Sequence, residues 1–91
     1  MVASMFTAAH DALVARALEL RKAAGVNQRQ LADAVGREQN FIGRIETGQR
    51  RLDLVEWVEI CRACGVDPET EIARLVRKIS SLVPQKRRRK K

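Results

Sequence analysis

Aromatic side chains are nearly missing from this chain. Among 91 residues there is no tyrosine, one tryptophan (Trp57) and two phenylalanines (Phe6 and Phe41). The apolar share of 45% is enough to fold, so aliphatic packing must supply most of one modest core. Cysteine is as scarce: Cys61 and Cys64 alone do not make the disulfide framework of a small secreted domain. The N-terminus has no charged segment leading into an apolar one of signal-peptide length. No run approaches the ~18 apolar residues of a membrane span. The expectation is a cytoplasmic protein with no membrane partner. No segment alternates apolar and polar residues long enough for a sheet, and nothing repeats internally.

The groups that catalysis needs are also thin. His10 is the single histidine, and one histidine without partners makes neither a metal site nor a base–nucleophile pair; it reads as solvated or helix-facing. Ser80 and Ser81 have no base, and no carboxylate pair stands apart from arginines. Cys61-Arg62-Ala63-Cys64 is a CxxC. A structural zinc needs four ligands, and a redox pair needs a helix N-terminus to acidify its thiol. This pair falls late in a helix, so both cysteines read as small buried hydrophobes. No catalytic residue, metal or cofactor is expected.

What the chain does have is helix-forming residues and punctuation. Alanine, leucine, arginine and glutamate are abundant and favour helix. Thr7 can cap a first helix reaching about residue 24, with Leu13, Ala17, Leu20 and Ala24 on one side and Gly25 ending it. A second helix covers about 28 to 35 and a third about 39 to 47. Asp53 and Glu56 form a capping box for a fourth, whose apolar stripe is Leu54, Trp57, Val58, Cys61 and Cys64. Asp67 and Pro68 open a fifth as N-cap and N1. Its stripe, Ile72, Leu75, Val76, Ile79 and Leu82, either folds back onto helices one and four or forms a partner surface; it is the best candidate for a dimer interface. The expected organisation is a disordered start at 1–6, a five-helix all-α domain at 7–83 and a flexible basic tail at 84–91.

Charge is divided unevenly. The net +7 comes from +4 on residues 21–51 and +6 on residues 79–91, against −1 and −2 on the other two stretches. A basic face on an otherwise mildly acidic domain suits a polyanionic partner. The tail Lys86 to Lys91 is either a nonspecific clamp on phosphates or a solvated arm.

The most informative run is NQRQLADAVGREQNFIGRIETG, from Asn27 to Gly48. Asn27 with Gln30 forms a capping box. Leu31, Ala32 and Val35 share one side of the short helix that follows. Gly36 lets the chain turn sharply. The next helix keeps Ile42 and Ile45 on one face and Gln39, Asn40, Gly43 and Arg44 on the other. Two short helices about a tight turn are the layout of a helix-turn-helix. Amides and a guanidinium along one helical face match the hydrogen-bonding edges of bases in a DNA major groove.

These features, with Leu20-Arg21, Gln28, Glu46 and Cys64-Gly65-Val66, resemble the Cro/C1-type (XRE-like) helix-turn-helix family of repressors over about half the chain. QNFIGRIETGQRRLDLVE is similar to a bacterial subgroup of QSFVSKYExGxRRLDVVE-like sequence. The resemblance implies a lambda-repressor-like bundle. It implies that Gln28 bonds a phosphate or braces the reading helix, that Gln39 and Asn40 touch base edges, and that Arg44 meets a guanine or a phosphate. Arg21 and Glu46 take the positions of an internal ion pair. Arg29, Arg37, Arg50 and Arg51 are the remaining DNA-contact candidates. Phe41 either presses on a thymine methyl or packs on the domain edge, with the contact role favoured. Gly43 either allows close approach to the groove or is a tolerated weak point.

The functional expectation is a bacterial or phage-encoded, nucleoid-associated transcriptional regulator. It would be a dimeric repressor on a pseudo-palindromic duplex operator in a phage-like, restriction-modification or toxin–antitoxin operon, with a toxin or another protein as a further partner. The alternative is an interaction module on the same fold that bridges other transcription factors.

Overall fold

The computed structural model describes residues 6–84. Of the disordered start expected at 1–6 and the tail expected at 84–91, residues 1–5 and 85–91, with the Lys86 to Lys91 run, lie outside those residues. Among the described residues there are five α-helices and no strand: α1 (Ala8–Ala23), α2 (Gln28–Ala34), α3 (Phe41–Glu46), α4 (Leu54–Ala63) and α5 (Pro68–Ile79), extended by a 3-10 turn at Ser80–Leu82.

The starts of four of these helices are written in their caps. Thr7, Asn27, Asp53 and Asp67 each accept backbone N–H groups of the first turn, and the Asn27–Gln30 and Asp53–Glu56 boxes are reciprocal. Each box satisfies donors the helix cannot. The α2–α3 turn depends on Gly36, whose φ of +71° is the left-handed conformation a Cβ disfavours. The Arg37 N–H then donates back to Ala32 O at 2.9 Å, closing the end of α2.

The core lies where α1, α3, α4 and α5 meet. Val14, Ala17 and Leu20 of α1 face Ile42 and Ile45 of α3, Trp57, Ile60 and Cys61 of α4, and Leu75 of α5, with Leu31 and Ala32 of α2 beneath. Burying a large apolar side chain of this kind contributes ~1.5–3 kcal/mol, and Trp57 also donates its indole N–H toward Pro68 O at 3.5 Å.

Two expected stripes hold except at one end: Leu13, Ala17 and Leu20 of α1 and Trp57, Val58, Cys61 and Cys64 lie in or against the core, with one residue of each stripe outside it. On α1 the inward residues are His10, Val14, Ala17 and Leu20, while Ala24 is exposed. On α4, Leu54 is exposed and Ile60 is buried beside Trp57 and Cys61. Arg16 joins α1 to α5, donating its Nε–H to Glu71 Oε1 at 3.0 Å.

Candidate nucleic-acid interface

The outer face of α3 is polar because its inner face is fully used. Phe41, Ile42 and Ile45 are buried, so Gln39 and Asn40 just before the helix and Arg44 within it point to solvent. These three, with Gln28 and Arg29 from the first turn of α2 and with Gly43, line a shallow cleft of about 490 Å³. Thr47 and Gln49 complete it. Neither was singled out in the sequence, although both belong to the polar run that follows Glu46. Six of the ten proposed contact residues therefore share one concave surface. Arg29 and Arg44 have no carboxylate partner among the described residues.

A partly buried polar network joins α3 to α1 and α2. Arg21 donates Nε–H to Glu46 Oε2 at 2.7 Å and Nη2–H to Oε1 at 3.2 Å, and its Nη1–H reaches Val26 O at 2.9 Å. Gln28 donates its amide to Glu46 Oε1 at 2.7 Å. The Gln28 side chain thus crosses α3, and Gly43 is where it crosses: a Cβ there would stand 3.3 Å from Gln28 Oε1. Gly43 thus leaves room for the Gln28 side chain.

Three of the expected contact residues are employed elsewhere. Phe41 is 4% exposed and belongs to the core, so the thymine contact favoured from the sequence is corrected to packing. The guanidinium carbons of Arg37 and Arg50 lie 4.6 and 4.8 Å from its ring centroid. Arg50 donates to both oxygens of Glu56, at 2.9 and 2.7 Å, and Arg37 donates to Oε2 at 3.3 Å while pairing with Glu59 at 3.5 Å. Arg37 and Arg50 are consequently neutralised cations. Burial alone would raise the Glu56 carboxyl, but hydrogen bonds from Arg50 and the Asp53 N–H hold it below the usual range.

The loop after α3 is pinned from α1. His10 is buried, and its Nε2 accepts the Leu52 N–H at 2.9 Å. This corrects the solvated or merely helix-facing histidine expected from the sequence. The Phe6 ring meets His10 at 4.8 Å, and the Arg51 guanidinium lies 5.5 Å from the Phe6 centroid. Burial, assisted by Arg51, lowers the His10 pKa.

The expected dimer stripe is split. Leu75 is 4% exposed and lies in the core, with Ile72 and Ile79 packed against it, whereas Val76 and Leu82 are 51% and 46% exposed. Leu75 is corrected to a core residue. The cysteines are free, and burial pushes the Cys61 thiol up to about 12, which keeps it protonated. No group of three or more metal-ligating side chains occurs among the described residues, and no helix is long and apolar enough to cross a membrane.

Residues 12–75 match the family described as a helix-turn-helix domain. An XRE-family-like protein from Pseudomonas syringae pv. tomato is 39% identical, with 78% of this chain and 87% of that one covered and a TM-score of 0.73. The chain belongs to the XRE-like helix-turn-helix family. Within this all-α family it is also similar to the restriction-modification controller protein C.AhdI from Aeromonas hydrophila, at 34% identity over 62% of this chain and 81% of that one, TM-score 0.56. The clp gene regulator ClgR from C. glutamicum shares the fold at 22% identity over 81% and 90%, TM-score 0.63. No curated protein matches the chain.

Proposed function

We propose that this protein is a sequence-specific DNA-binding regulator of transcription, a dimeric repressor that reads a pseudo-palindromic operator through α3. The observation that carries the reading is the cleft, where two amides just before α3 (Gln39 and Asn40) stand together with an unpaired guanidinium (Arg44) on the solvent side of a helix whose other face is core. An amide can pair with adenine N6 and N7, and a guanidinium with guanine O6 and N7, at about 1–3 kcal/mol of discrimination each. Arg29 and Arg51 supply phosphate contacts that hold the duplex without reading it. One such helix spans too few base pairs to single out an operator. A two-fold dimer through the outward residues Val76 and Leu82 doubles the site and sets half-sites ~10 base pairs apart. The likeness to a restriction-modification controller supports an operon of that kind, and a cytoplasmic, nucleoid-associated location follows from the same reading.

The test is a gel shift of Gln39→Ala with Arg44→Ala on an operator chosen by the wild-type chain. Loss of two base contacts should weaken specific binding at least roughly thirtyfold. Weak, salt-sensitive binding to unrelated duplex should survive. Unchanged operator affinity would remove α3 as the reading element.

A further inference from the structure

Glu56 is the most buried carboxylate described, 2% exposed, and what it holds frames the reading helix. Arg37 comes from the connection that enters α3 and Arg50 from the connection that leaves it. Both guanidiniums bond this one carboxylate, and both lie over Phe41, the first residue of α3. Asn40 stands at the N-cap of α3 but makes no side-chain cap bond, and a six-residue helix is too short to fix itself. Its direction has to be imposed from outside, and Glu56 does so at the end that carries Gln39 and Asn40.

We propose that Glu56, acting through Arg37, Arg50 and Phe41, is a positioning residue for sequence selectivity, an inference that rests on the DNA-reading function proposed above. It touches no base. Its effect follows from a difference in range. A bidentate base contact requires donor–acceptor distances of about 2.7–3.2 Å, so a small shift of Phe41 and the two residues before it spoils discrimination. Attraction to phosphates extends over a Debye length of ~8 Å and tolerates the same shift. Loosening the clasp therefore lowers the ratio of specific to nonspecific affinity rather than affinity as a whole. If Arg37 and Arg50 were themselves phosphate ligands, removing the Glu56 charge would strengthen binding to every duplex alike.

The experiment is Glu56→Gln in the full chain, titrated with the wild-type operator and with a scrambled duplex across a salt series. Glutamine keeps the capping box, as Gln30 does in α2, but removes the negative charge that Arg37 and Arg50 share. The expected result is a drop of roughly tenfold in the operator-to-scrambled ratio, the scale of one lost base contact, with scrambled binding unchanged or tighter. Should Glu56→Gln lose its helical circular dichroism, Arg50→Lys serves instead: it keeps the cation, loses the two-oxygen grip and should move the ratio the same way. A ratio that stays at the wild-type value in the folded variant, whether both affinities fall or both rise, overturns the positioning role and leaves the reading function intact. A wild-type chain that selects no preferred duplex overturns the reading function, and the positioning role falls with it.

Discussion

Arg21 and Glu46 show how much one pair of side chains can carry. Their side chains are 11% and 9% exposed, and Glu46 also receives Gln28. Removing one partner of such a pair leaves the other charge buried, so Arg21→Leu should cost about 3–5 kcal/mol in urea unfolding. A loss below about 1 kcal/mol would mean the pair behaves as an exposed one. His10 gives a prediction in pH. Its Nε2 accepts the Leu52 N–H only while neutral, and its folded pKa lies below the ordinary 6.5. The unfolded chain then takes up the proton first, so stability declines as pH falls below about 6.5 and levels off once the folded pKa is passed. Glutamine accepts the same N–H without titrating. His10→Gln should flatten that decline in thermal melts taken across pH, whereas His10→Leu flattens it and also lowers the melting temperature at pH 7. A decline of unchanged steepness in His10→Gln would assign it to other groups. Glu56, with a lowered pKa, contributes stability above the usual carboxylate range that is lost as pH falls through its folded value.

At the scale of elements, the caps were the legible part. Asn27, Asp53 and Asp67 act on residues two or three positions away, so the signal is local and the helix starts could be placed from it. The burial of His10, Val14 and Ile60, and the exposure of Ala24 and Leu54, were not legible, because several faces of a short helix are apolar enough and packing chooses among them. Nor was the engagement of Arg37 and Arg50: an arginine beside a reading helix looks the same in sequence whether it meets a phosphate or a carboxylate, and Glu56 lies six residues past Arg50 and nineteen past Arg37. The reverse held in part for the cleft: the 3.6-residue period set Arg44 apart from Ile42 and Ile45, while Gln39 and Asn40, expected inside the third helix, stand in the turn just before it and still line the cleft. Gly43→Ala weighs two element-scale effects. Alanine gains about 1 kcal/mol of helix propensity, while its Cβ crowds Gln28 Oε1 at 3.3 Å. That oxygen ends a flexible, exposed side chain, so the variant should be more stable by under ~1 kcal/mol. Destabilisation in urea would show that Gln28 is held too firmly by Glu46 to move.

For the molecule as a whole, the fifth helix carries a core residue and an exposed apolar one side by side. Leu75 closes the core, and Val76 beside it faces out. On the dimeric reading proposed above, Val76→Glu should leave the melting temperature nearly unchanged and shift sedimentation from dimer to monomer, while Leu75→Glu should unfold the chain. Dimer retained in Val76→Glu would move the interface elsewhere. The central claim is that the solvent face of α3 reads base sequence. Selection of bound duplexes from a random pool, run in parallel on the wild type and on Gln39→Ala, tests it most directly. The account predicts an enriched motif with two related half-sites ~10 base pairs apart and, in the variant, relaxed preference at one position in each half-site. No enriched motif, or the same motif from both proteins, would contradict it.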